Sequence, residues 1–161
     1  MKNKAALVNR ILLLITVLWM CVIWSFSAKP ADLSTEMSHE TGAWVAGILH
    51  RDFRDWPGEM QSAYVESIDH AVRKTAHAAE YTLLGFLIAS TVYRYGWAGR
   101  FRWFAAWAAG AGYAVSDEIH QYFVPGRSCQ ISDMLLDSCG VLLGVFIAAA
   151  IIHICRRIFC Q

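Results

Sequence analysis

Ser116-Asp117-Glu118-Ile119-His120-Gln121 closes an apolar stretch that begins near Phe101, and polar residues continue through Pro125-Gly126-Arg127 to Asp133 and Asp137, where the next apolar stretch opens. At the end of a water-soluble helix such a run would be an ordinary solvated terminus. Between two segments of membrane-spanning length it is expensive, and ionisable groups at membrane depth mark a functional site by default. How these residues are read therefore decides both the class of fold and where to look for chemistry.

The rest of the chain favours the membrane reading. Its 161 residues fit one domain spanning 1–161, and they are 57% hydrophobic and only 17% charged, against about 25% charged in ordinary soluble domains. A formal charge of +1 gives no basic face of the kind nucleic acid requires, so nucleic-acid binding is set aside. Of the five cysteines, Cys21 and Cys139 lie in apolar runs, Cys155 and Cys160 near the C-terminus and Cys129 in a polar loop. No disulfide or zinc spacing emerges.

Four segments have the length and apolarity of spanning helices: 11–26, 73–93, 101–117 and 134–153. The first follows Lys2, Lys4 and Arg10 and ends in Ser25-Phe26-Ser27, which also fits a cleaved signal peptide. Its length, with Trp19 and Trp24 near the outer end, favours a retained anchor. The short flanks at Lys2, Lys4 and Arg10, at Arg94, Arg100 and Arg102, and at Arg156 and Arg157 fall on one side. By the positive-inside rule that side is cytoplasmic, giving an N-in, C-in protein of the bacterial cytoplasmic (inner) membrane. The outer loops carry basic residues too, among them Lys29, Arg51, Arg54, Arg73, Lys74 and Arg127, at lower density. The expected fold is thus all-α, a polytopic bundle of four transmembrane helices.

Within the long outer loop, Met37 to Leu49 has the pattern of a short interfacial helix, with Trp44, Phe53 and Trp56 as headgroup anchors. Pro57-Gly58 breaks the chain, and Glu59 to Ile68 is expected to run into the second span as one long helix.

Helical geometry gathers the polar residues. At 100° per residue Lys74, His77, Glu80 and Tyr81 share an arc of about 120° at the outer end of the second span. In the third, Tyr113, Ser116, Asp117 and His120 share one side; Glu118 points away from it if the helix stays regular, and either faces a different neighbour or marks a place where the helix unwinds. In the fourth, Asp133, Asp137, Gly140 and Gly144 form one stripe, the glycines at a spacing that lets another helix approach closely. The topology, read from loop charge alone, places all these groups in the extracytoplasmic half. That coincidence predicts one pocket formed by three helices and the loop that carries Arg127.

Taken in order, Lys74-x-x-His77-x-x-Glu80-Tyr81-x-x-Leu84-Gly85, then Ser116-Asp117-Glu118-x-His120-Gln121-x-Phe123-x-Pro125-Gly126-Arg127, then Asp133, the chain resembles the VanZ-like family of small bacterial membrane proteins, named after a member linked to teicoplanin resistance. The match covers about 74–144. The resemblance implies a multi-span membrane protein of the cell envelope, with the motif in its last three spans and a bearing on glycopeptide susceptibility; it implies no particular reaction. Members commonly carry Asn where this chain has Asp137, and the Glu118-x-x-Gln121 spacing recurs more widely than His120.

The residues themselves leave several chemistries open. Lys74 and Arg127 suit an anion clamp, a point charge beside a planar fork, or else snorkel to headgroups and pair with Glu80 or Asp133. His77 and His120 suit a divalent metal completed by Glu80, Asp117 or Asp133, metal-free proton transfer, or a hydrogen-bonded network that fixes helix register. The sequence requires no cofactor. The other histidines, His39, His50, His70 and His153, read as surface or headgroup residues, Ser116 as a helix-contact hydroxyl, and the seven tryptophans as an interface belt.

The leading expectation is an envelope protein that acts on or binds an anionic lipid or lipid-linked wall precursor. Lys74, Tyr81, Asp117, Gln121 and Arg127 would bind, and His77, Glu80, Glu118, His120 and Asp133 would carry any catalysis, which would be hydrolysis or group transfer. The rivals are a non-catalytic accessory protein, whose partner is a membrane lipid, a glycopeptide or another protein, and a small transporter. The one-sided placement of the polar groups speaks against transport.

Overall fold

Prolines set where two of the helices begin. Pro30 precedes α2 (Ala31–Leu49) and Pro57 precedes α3 (Gly58–Arg94), their carbonyls accepting the N–H groups of Ser34 and Gln61. In the computed structural model, which describes residues 2–96, 99 and 101–159, these join α1 (Lys2–Ser27), α4 (Phe101–Gln121) and α5 (Ile131–Phe159), with a single 3₁₀ turn at Phe53–Asp55. Arg100 and Cys160 lie outside the described residues, as does the side chain of Lys2. Among those described the fold is all-helical.

The long helix expected after Pro57-Gly58 is α3, whose 37 residues make it about 55 Å long. It is the hub, packed against each of the other four helices. Tyr81, Leu84 and Ala89 of α3 meet Val141, Val145 and Ala148 of α5 in the main core, which Ile23 of α1 and Ala106 and Ala114 of α4 complete. The glycine stripe makes the α3–α5 contact possible. A Cβ at Gly144 would stand 2.0 Å from the Thr82 carbonyl oxygen, and one at Gly140 would stand 2.8 Å from that of Ala78. The backbones thus approach more closely than any side chain would permit, as small residues allow in membrane helices.

By length and apolarity α1 and α5 qualify as membrane spans, with mean hydropathies of 2.3 and 2.4. Their outward faces are apolar: Ile11, Leu14 and Leu18 on α1 and Leu143, Phe146 and Ile154 on α5 are all exposed. So are Phe104, Val115 and Ile119 on α4. Contiguous apolar surface on this scale suits lipid as its solvent.

Two expectations for the outer loop change. The α2 helix starts at Ala31, six residues before Met37, and packs along the first half of α3, with Gly42 against Val65 and Ser38 hydrogen-bonded to Asp69. Phe53 is not a headgroup anchor, and Trp56 is only partly exposed. Phe53 is buried, and with Ala46, Val65, Trp56 and Tyr64 it forms a second small core. The Phe53 ring is thereby withdrawn from solvent and Trp56 is partly covered, while Trp44 remains exposed. His50, read as a surface residue, joins this cluster by a 2.9 Å hydrogen bond to the Tyr64 hydroxyl.

Candidate functional site

A buried carboxylate organises the polar residues at the α1–α3–α4 junction. Asp117 has no exposed surface, and its Oδ2 accepts from Ser27 Oγ at 2.6 Å, Tyr81 OH at 3.0 Å and Gln121 Nε2 at 3.4 Å. Donors from three helices thus converge on one oxygen, which offsets the cost of removing the charge from water. Gln121 then turns its amide oxygen outward, where it accepts from Arg127 Nη1 at 3.1 Å, while Arg127 Nε donates to the Lys29 carbonyl at 3.2 Å. The loop supplies the remaining constraint: Arg127 N–H bonds the Val124 carbonyl at 3.1 Å across Pro125-Gly126, and Gly126 has φ +74°. That is the signature of a type II turn, in which glycine tolerates the left-handed position. Arg127 is therefore held at both its backbone and its guanidinium.

Arg127 faces two adjoining clefts, each of about 230 Å³, which share Arg73, His77 and Arg127 in their walls. One lies between the end of α1, α2 and α3 and adds Lys29 and Glu80, the hydroxyls of Ser34, Ser38 and Thr41, and an apolar wall at Phe26, Met37 and Val72. The other adds Lys74, Asp133, Gln121 and Gln130. Lys74 is ion-paired with Asp133, and Arg73 lies 3.9 Å from Asp69. Lys29 instead sits over the Phe26 ring, 4.7 Å from its centre, and near Met37 Sδ at 2.9 Å. Among the described residues neither Lys29 nor Arg127 has a carboxylate within ion-pairing distance. Partial burial and then repulsion from Arg73 push the Arg127 pKa below its ordinary value, the sign expected where cations crowd one cleft.

The structure thus brings Lys74, His77, Glu80, Arg127 and Asp133 to the clefts and places Tyr81 and Asp117 behind them, with Gln121 bridging the two groups. Asp137 is fully buried, and its Oδ1 lies 3.9 Å from His77 Nδ1. Glu118 faces away from Asp117: it is buried against the α4–α5 loop, where its Oε2 accepts the Gln130 N–H at 3.0 Å. The helix stays regular there, so a different neighbour, not unwinding, accounts for it. His120 lines neither cleft. Its ring stacks on Trp24 with centroids 3.9 Å apart and planes 4° apart. Trp24 is accordingly a packing partner of α4 as well as a half-exposed ring at the edge of α1, and Trp19 donates to the Glu80 carbonyl at 3.0 Å. Ser116, grouped with Asp117 by angle, is exposed and bonds back to the Tyr113 carbonyl at 2.7 Å. Among the described residues no three His, Cys, Asp or Glu side chains lie close enough together to hold a metal ion.

Three contributors escape a reading by motif. Ser27 and Lys29 lie where α1 gives way to α2, and Arg73 counts in the sequence only as a loop charge. For Arg73 a signal exists: with His77 and Glu80 it has the i, i+4, i+7 spacing of one helix face. Ser27 gives none, because its role depends on the α1–α4 contact.

Neither curated proteins nor solved structures give a match. The model of one family, described as VanZ/LLP1, matches residues 12–153, so this all-helical membrane protein belongs to the VanZ/LLP1 family.

Proposed function

We infer that the protein crosses the bacterial cytoplasmic membrane four times, with α1, the second half of α3, α4 and α5 as spans and both termini inside, and that its clefts open on the envelope side. There they bind the anionic headgroup of a lipid or a lipid-linked wall precursor. One observation carries the reading: Lys29 and Arg127 line a cleft that also has an apolar wall, and among the described residues neither has a carboxylate within ion-pairing distance. A phosphate suits such a pair, since the guanidinium offers a planar fork and the ammonium a mobile point charge. The apolar side of the cleft suits the first carbons of a lipid tail.

In this reading Arg127 is the principal anion contact and Lys74, held by Asp133, shapes the second cleft. His77 and Glu80 stand where they can exchange a proton with the bound molecule. Tyr81, Asp117 and Gln121 keep Arg127 in place, and Glu118 and His120 fix the α4 end without touching the ligand. Altered glycopeptide susceptibility follows if the bound lipid is a wall precursor or changes access to one. Alanine replacements at Lys29, Arg127 and His77 test this when the envelope lipid profile is read together with teicoplanin susceptibility at matched expression. Changes with Lys29→Ala and Arg127→Ala are expected; unchanged lipids and unchanged susceptibility in both would overturn the proposal.

A further inference from the structure

His77 and Asp137 face one another across the α3–α5 contact, and the reason is visible in the sequence. Gly140 lets α5 settle against the Ala78 carbonyl, and one turn earlier on α5 that approach carries Asp137 up to His77, the residue before Ala78. Asp137 Oδ1 and His77 Nδ1 are both buried and face one another at 3.9 Å, just beyond hydrogen-bonding distance, and neither has a hydrogen-bonding partner. His77 also lines both clefts. An unpartnered ring nitrogen and an unpartnered carboxyl group thus face one another away from water.

We propose that Asp137 is a positioning residue for His77: the pair closes to a hydrogen bond in which a carboxyl oxygen of Asp137 accepts from Nδ1–H, which fixes that tautomer and leaves Nε2 as the acceptor presented to the clefts. The ring nitrogen that carries the proton is set by the bond the other makes. An imidazole held in this way accepts a hydrogen bond or a proton from a bound molecule, such as the hydroxyl of a headgroup or a protonated phosphate. Its value to the protein rests on the headgroup-binding reading above, but its geometry does not. The charged groups around the pair are Arg73, Lys74 and Glu80 on α3, Asp117 and Glu118 on α4, and Arg127 in the loop. None of them hydrogen-bonds either ring nitrogen.

The test is nitrogen NMR of the full chain in lipid nanodiscs, with ¹⁵N-labelled histidine, at a pH where imidazole is neutral. The His77 signals are assigned by their loss in His77→Gln. The wild-type ring is expected to be mostly the Nδ1–H tautomer. Asp137→Leu is expected to return it to the Nε2–H form that free imidazole prefers, whereas Asp137→Asn, whose amide oxygen can still accept, is expected to keep Nδ1–H. A wild-type ring in the Nε2–H form overturns the proposal without any variant, and so does a tautomer indifferent to Asp137→Leu. Lipid binding does not enter the measurement, so loss of the headgroup reading and loss of the dyad register separately.

Discussion

Replacing Gly144 by alanine adds one methyl group at the place where α3 and α5 come closest. The new Cβ would meet the Thr82 carbonyl oxygen at 2.0 Å and the Phe86 nitrogen at 2.6 Å, well short of the ordinary contact distance of about 3.5 Å. Both neighbours are backbone atoms and cannot rotate away, so the helices must separate by more than an ångström. Overpacking of a filled core costs about 1–3 kcal/mol, and a backbone obstacle argues for the upper end. Gly112→Ala provides the control. Its Cβ meets nothing within 4 Å, and alanine in place of glycine inside a helix stabilises by about 0.5–1 kcal/mol. One chemical change at two sites is therefore expected to have opposite signs. At about 2–4 °C per kcal/mol for a chain of this size, thermal unfolding in detergent should show Gly144→Ala melting about 5–10 °C below wild type and Gly112→Ala slightly above it. Equal melting temperatures for the two variants would refute the close approach, and with it the geometry that brings Asp133 and Asp137 to α3.

Asp117→Asn removes the charge that three donors share, and at about 2 kcal/mol for charge-assisted bonds it should melt below wild type, with Tyr81→Phe showing a smaller loss in the same assay. Because Lys74 and Asp133 are partly buried and paired, the double alanine variant should be less unstable than the sum of the singles, by about 0.5–3 kcal/mol in a double-mutant cycle; strict additivity would mean that the pair contributes nothing. The native thiols report topology. Cys129 is exposed in the α4–α5 loop and Cys155 is exposed near the end of α5, so an impermeant maleimide should label Cys129 in intact cells and Cys155 only after permeabilisation. The reverse pattern would invert the proposed orientation.

Much of this arrangement is legible in the sequence because helical periodicity is local. The joined helix after Pro57-Gly58, the stripe from Asp133 to Gly144 and the polar face of Lys74, His77, Glu80 and Tyr81 each follow from angles along one helix, and the structure contains all three. What depends on contacts between helices is not legible in this way. Phe53 and Trp56 have the composition of membrane anchors, yet they find a better apolar partner in Tyr64 and Val65. His120 shares a helical side with Asp117, but the Trp24 ring lies on its face and keeps it out of the clefts. By sequence Lys74 and Arg127 are both open to pairing with Asp133; in the structure Asp133 pairs with Lys74, and no carboxylate lies within ion-pairing distance of Arg127 among the described residues. Ser27 enters only because the end of α1 reaches Asp117.

On the proposed function, Lys29 and Arg127 select a negative headgroup. Electron spin resonance with spin-labelled lipids measures that selection directly, as the relative association of phosphatidylglycerol and phosphatidylcholine with the protein in bilayers. Each cation near the membrane surface contributes about 1 kcal/mol toward an anionic lipid, so wild type should prefer phosphatidylglycerol, with the preference falling about fivefold in Arg127→Ala and further when Lys29→Ala is added. A preference for the anionic lipid that survives undiminished in the double variant would mean that these two cations do not select the headgroup.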